Sequence, residues 1–181
     1  MSRGFTKEDD AQTPPLIPPR AALPPGTPNY VTPAGLEQLR AELATLEAER
    51  AQAEANHDND TDRTHRLSLC NGRLALLLER LGSTRVVDPA GQPAKEVRFG
   101  ATVTLRTVSG GKQGSASAKP GFAREFTIVG VDEADISLGK VAFVAPIARA
   151  VLGAKLQQQV PLQLGAQAEV VEVTGIHYPG S

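Results

Sequence analysis

Apolar residues first fall into a helical rhythm at Leu36, Leu39, Leu43 and Leu46, which follow one another at alternating steps of three and four. Thr32 offers an N-cap hydroxyl just before them and Pro33 suits a first helical position, so a helix is predicted to start there. Continuing the same steps reaches Arg50 and Ala53, so the apolar seam thins away from its base. The run from His57 to Asp62 (HDNDTD) then carries short polar side chains that bond their own backbone and favour turns and helix starts. A second seam follows at Leu67, Cys70, Leu74, Leu77 and Leu81, until Gly82 supplies a stop. Two seams of similar length joined by a polar turn predict an antiparallel two-helix coiled-coil hairpin over residues 30–85.

Past Asp88-Pro89 the period drops toward two. Residues Val97 to Val108, Phe122 to Val131, Ile136 to Val144 and Ala168 to Tyr178 read as strands. A linker over 86–95 and a β-rich domain over 96–181 follow, for an α+β chain overall. Phe99, Phe122, Phe126, Phe143 and Tyr178 are available for the small core of that domain. Between the first two strands, 109–121 (SGGKQGSASAKPG) is rich in Gly and Ser and is expected to be a mobile hairpin loop. It has neither the GxxxxGK[ST] nor the GxGxxG spacing of a phosphate cradle. Residues 1–29, with paired prolines at Pro14-Pro15, Pro18-Pro19 and Pro24-Pro25, read as an extended, disordered Pro-rich tail, either a solvated spacer or a docking peptide.

Composition narrows the function. Aromatics make up 4% of the 181 residues and Trp is absent, which disfavours a deep aromatic-lined cofactor pocket. A formal net charge of -1 removes the sequence-independent pull on phosphate backbones, so DNA would be met only indirectly. The single cysteine, Cys70, excludes an intramolecular disulfide and a Cys-rich zinc site. No run approaches the ~18–20 apolar residues that span a bilayer, and the expectation is a soluble, cytoplasmic monomer without membrane contact.

The turn offers one chemically suggestive cluster, Asp58, Asp60 and Asp62. Carboxylates there suit a hard cation, but Asp60 or Asp62 could equally cap the second helix. A calcium loop of EF-hand type is excluded, since Arg63 and Leu69 stand where it needs Gly and Glu. His57, His65 and Cys70 lack zinc-site spacing. Along the hairpin Arg40, Arg50, Arg63, Arg66, Arg73, Arg80 and Arg85 recur, balanced by Glu37, Glu42, Glu47, Glu49 and Glu79 in the manner of a solvated face.

Five strings occur in one order: YVTPAGLEQLRAEL from Tyr30, RVVD from Arg85, FGATVTL from Phe99, FTIVGVDEAD from Phe126 and PIARAVLGAK from Pro146. Together they resemble the GreA/GreB transcript-cleavage factors, over residues 30–178. The resemblance implies a coiled-coil finger that enters the secondary channel of bacterial RNA polymerase and an FKBP-like C-terminal domain, without isomerase activity, that docks at the channel rim. It implies no enzyme and no cofactor of the chain's own, at most a Mg²⁺ shared with the polymerase through Asp58, Asp60 and Asp62. It also implies docking through Pro146, Ile147 and Arg149, and contacts of Arg50, Arg63, Arg66 and Arg73 with transcript RNA or the channel wall.

Three departures from the family pattern stand out. The cleaving members carry D-x-x-E-N at the tip, and this turn has no glutamate. Their Asp-Ser-Pro before the PIARA helix reads Val144-Ala145-Pro146 here, so Pro146, Ile147, Val151 and Leu152 could equally just start and pack a helix. The arms are also about one heptad shorter each, which leaves the seams in register but the tip ~10 Å short. The expected function is therefore elongation control through the channel with weak or absent cleavage stimulation. The alternatives are an active cleavage factor and a coiled-coil module outside transcription.

Overall fold

The computed structural model describes residues 14–110 and 119–179. Helix α1 runs Pro33–Ala55 and helix α2 Asp60–Gly82. Thr32, in extended backbone, caps α1 by accepting from the Gly35 N–H, and Pro33 takes the first helical position as predicted. At α2 the prediction needs correcting, because Asn59 rather than Asp60 or Asp62 is the cap. Its side-chain oxygen accepts from the Asp62 N–H at 3.1 Å, while both aspartates fall inside the first turn. Each helix has 23 residues, hence a length of ~34 Å. Leu39, Leu46 and Ala53 are buried on α1, and Cys70, Leu74 and Leu77 on α2. Leu36, Leu43 and Leu81 pack partly buried beside them. These are the two predicted seams, knitted face to face.

Two short strands clasp the base of the hairpin. Strand β1 (Asn29–Val31) leads into α1, β2 (Thr84–Val86) leaves α2, and the two pair in parallel. The Asn29 amide donates to the Arg80 carbonyl and the Ser83 hydroxyl, both at 3.1 Å, so β1 also supports the C-terminal end of α2.

The second half holds β3 (Thr102–Gly110), β4 (Ala123–Val129), β5 (Lys140–Ala142), a short helix α3 (Pro146–Val151), β6 (Gln159–Leu164) and β7 (Gln167–His177). Its sheet has the order β5-β4-β3-β7-β6. The expected antiparallel sheet needs one amendment: β4 and β5 are parallel. Their connection passes through Gly130 to Gly139 and a 3-10 turn at Ile136–Leu138, a crossover rather than a tight hairpin, and that turn replaces the start of the strand expected from Ile136. Strand β6, which the sequence reading missed, carries Pro161 and lies at the sheet edge, where a missing N–H is tolerated. The α+β architecture of a coiled-coil hairpin followed by an FKBP-like domain is otherwise as predicted.

The core of this domain is aliphatic, with Val97, Val103, Leu105, Ile128, Val171 and Val173 fully buried and α3 contributing Ala148 and Val151. Burial holds the Tyr178 hydroxyl above its ordinary titration range; that hydroxyl donates to the Glu96 carbonyl at 2.6 Å and accepts from the Arg98 N–H. Phe122 is exposed, so it is not a core residue as expected from composition. Its place in the aromatic set is taken by Tyr30 from β1, whose ring packs against Phe99 and Phe143 at centroid distances of 5.9 and 5.6 Å.

Glu133 joins the halves. Its side chain is 7% exposed, and its carboxylate accepts from the backbone N–H and hydroxyl of Thr32 and from the Gly130 N–H. A Cβ at Gly35 would overlap that carboxylate, and one at Gly130 would press on both Glu133 and the Tyr30 carbonyl. Residues 14–28 contain no helix or strand, in keeping with their prolines, but they run along the hairpin rather than into solvent. Tail residues 1–13 and most of the 109–121 loop lie outside the described residues. Among the described residues no helix is long and apolar enough to cross a membrane.

Replacing Leu77, which has no exposed surface, with Ala should cost about 2–5 kcal/mol in chemical denaturation, since the helix pair can only partly close the gap. Glu133→Ala should cost about 1–3 kcal/mol for each backbone N–H it leaves unpaired, and Glu133→Gln less, because one acceptor oxygen remains. Denaturation midpoints of the two variants, compared at equal denaturant slope, check the order.

Candidate functional site at the hairpin tip

The tip is built from Asn56 to Arg66. Helix α1 stops where Asn56 turns extended, and the Asn56 side chain accepts from the Asp58 N–H at 3.0 Å. That closes an Asx-type turn and carries the chain to Asn59. With the cap provided by Asn59, the aspartates are released from capping. They lie at the positive end of α2, where a carboxylate is favoured by the helix dipole.

Two of the three acids have partners on the next turn. Asp62 meets Arg66 at 2.9 Å and Asp60 meets Arg63 at 3.9 Å, the side chain of Asp60 being 88% exposed. Arg63 also reaches the His57 ring at 3.3 Å. Among the described residues the Asp58 carboxylate makes no ion pair. Nor do three or more His, Cys, Asp or Glu side chains come together there in a way that could hold a metal ion. The tip is an acidic surface with its charges spread out.

The basic candidates are paired within the hairpin. Arg50 faces Glu54 at 3.5 Å on α1, and Arg73 crosses from α2 to Glu49 on α1 at 3.4 Å. Both pairs are substantially exposed and so contribute little to stability. Arg63 and Arg66 are those that hold the tip acids.

The docking candidates sit on the other domain. Pro146 opens α3, Arg149 is exposed in its last turn, and Ile147 is partly buried against the core. Ala145, at the cap position, supplies no side-chain hydrogen bond. Before β5, the Asp135 side chain accepts from the Ser137 N–H at 2.9 Å, and the Ser137 hydroxyl bond holds its carboxyl below the usual range. This turn leaves Ile136 89% and Leu138 69% exposed.

Charge patterning missed the base of the finger. Arg80 and Glu42, read as part of a solvated face, belong to a network with Arg20 and Asp132 at the junction. The Arg20 hydrogen bond holds the Glu42 carboxyl below its ordinary range, and Glu42 in turn raises Arg20. The VDEAD string was visible in the sequence, but no spacing rule pairs Asp132 with Arg20 and Arg80, or Glu133 with Thr32.

A family model described as "Transcription elongation factor, GreA/GreB, C-term" matches residues 92–178. Transcription elongation factor GreB of Neisseria meningitidis serogroup A is 31% identical over 166 residues, covering 84% of this chain and 95% of that protein. Transcription elongation factor GreA of Ralstonia nicotianae is 32% identical over 68% of this chain and 80% of its own. A solved GreA/GreB structure from Nitrosomonas europaea is 23% identical, covers 82% of this chain and 98% of its own, and superposes with a TM-score of 0.37.

Asn59→Ala should loosen the tip by about 1 kcal/mol through loss of the cap. Faster hydrogen exchange at the Asp62 and Arg63 amides, with the seam around Leu74 unchanged, is the expected readout.

Proposed function

This chain belongs to the GreA/GreB family of transcription elongation factors, and from that premise we propose that it regulates bacterial RNA polymerase from the secondary channel with weak or absent stimulation of transcript cleavage. The observation that carries the reading is the tip, where no D-x-x-E-N is present and the acids assemble no metal-holding cluster among the described residues. Family membership displaces the alternative of a coiled-coil module outside transcription.

In this reading the chemistry of RNA cleavage is the polymerase's own, and the chain acts by occupancy. The hairpin fills the channel, the β-domain rests at the rim through Pro146, Ile147 and Arg149, and Arg50, Arg63, Arg66 and Arg73 exchange their partners within the hairpin for transcript or wall. Such exchange is inexpensive because exposed pairs contribute little. A Mg²⁺ ion takes oxygen donors at about 2.0–2.1 Å in near-octahedral array. The tip residues do not assemble such a set among themselves, so they fit a metal only as an outer contributor to a site held elsewhere. A tip ~10 Å short of the family's reach could not supply even that. The unpaired Asp58 favours the second reading, a retained cleavage factor that offers one carboxylate.

Tagged protein should retain core polymerase at micromolar concentration, and failure to do so would remove the channel reading. With a backtracked elongation complex carrying labelled RNA, this protein alone is expected to leave the RNA length unchanged. It should also slow shortening by an active cleavage factor added afterwards. Rapid shortening by this protein, lost on changing Asp58, Asp60 and Asp62 to Ala, would establish the second reading instead.

A further inference from the structure

Residues 14–28 follow the hairpin from tip to base. Pro14 and Pro15 line one cleft with Asn59, Thr61 and Asp62, and Leu23 reaches the β-domain core. Between them Ile17 lies on Gly72 of α2, so closely that a Cβ at that glycine would overlap its side chain. Arg20 then makes two connections at once. Its terminal nitrogens donate to both oxygens of Glu42 on α1 at 2.8 and 3.0 Å, and its Nε and Nη2 donate to Asp132 of the β-domain at 3.2 and 2.9 Å. Arg80 of α2 donates to the Ala21 carbonyl at 2.5 Å, and its Nε lies 3.4 Å from the same Asp132. The side chains of Arg20, Arg80 and Asp132 are 17%, 12% and 7% exposed, so these are not solvent-screened surface pairs.

The mechanical consequence follows from where the links fall. Thr32 on Glu133, the Tyr30 ring on Phe99 and Phe143, and Arg80 beside Asp132 attach the finger to the β-domain at its base, and contacts confined to the base leave a rod free to tilt. Glu42 lies ten residues further along α1, about 15 Å up the rod. A link from there to Asp132 is a second attachment with a lever arm, which removes the pivot. We propose that residues 14–28 are a strap that fixes the angle between the hairpin and the β-domain, with Arg20 as its fastening and the Ile17–Gly72 contact as its seat. The inference holds whatever the partner of the finger is.

The strap can be released in two chemically unrelated ways. Arg20→Ala removes the fastening. Gly72→Leu fills the seat of Ile17 while replacing a glycine inside a helix with a better helix former, so α2 itself is supported. Nitroxide labels on cysteines introduced at the exposed Ala51 and Gln159, in the full chain with Cys70→Ala, report the angle as a pulsed-resonance distance distribution. One narrow distribution is expected for the parent, and a broader, displaced one for each variant, with helical circular dichroism unchanged. Distributions of both variants that superimpose on the parent's would overturn the proposal. So would amide exchange in residues 16–23 of the parent as fast as in Gly72→Leu, because the strap would then not be seated at all.

Discussion

A carboxylate held at the start of a helix decides how the two halves of this chain meet. Glu133 is nearly excluded from water, so its charge must be matched locally. The match comes from the N-terminal turn of α1, whose unpaired N–H groups and dipole favour an anion there, and from the Gly130 N–H of its own turn. Thr32 serves both sides, since its hydroxyl donates to Glu133 while accepting from Gly35. The absence of side chains at Gly35 and Gly130 is then a requirement of distance, because a Cβ at Gly35 would stand where the carboxylate is and one at Gly130 would press on it and on the Tyr30 carbonyl. The place where the finger joins the β-domain follows from this site, at the capped first turn of α1.

Charges along the hairpin change character with distance from that junction. At the base, Arg20, Arg80, Glu42 and Asp132 link separate elements and are largely withdrawn from solvent. Toward the tip, Arg50, Arg63 and Arg66 pair with residues three or four positions away on their own helix. The first arrangement fixes geometry, and the second costs little to undo. The seam runs the same way, from Leu39 and Leu46 near the base to Ala53 and Cys70 toward the far end, so less apolar area is buried there. A rod anchored at one end and adaptable at the other is what both gradients produce.

Local physics explains which parts of this were legible beforehand. The helices were, because alternating steps of three and four, a Thr-Pro start and a polar turn are local signals that the seam then confirms by burial. Strands β3, β4, β5 and β7 were visible as β-branched or alternating runs, although the run from Ile136 opens in a 3-10 turn before β5. Strand β6 was not, since Pro161 within a run argues against a strand unless its edge position is known. Phe122 was misplaced because composition cannot distinguish an aromatic beside a loop from one in a core. Arg20 was read as part of a solvated tail, and Glu42 and Arg80 as a solvated face, because a network that joins four separate segments leaves no periodic trace in any of them.

Asn59 bears on the tip more than its size suggests. Had an aspartate been the cap, its carboxylate would have been committed to backbone N–H groups and unavailable to anything else. With Asn59 in that role, Asp60 and Asp62 stand in the first turn of α2 and meet only Arg63 and Arg66, and Asp58 meets neither. Charge therefore does not bar these acids from a cation, because exposed pairs three and four residues apart exchange readily with other partners. What a carboxylate needs is contact, because it coordinates a hard cation at about 2 Å. Asp58, Asp60 and Asp62 assemble no such site among the described residues, so the tip can only complete one that a partner brings to it.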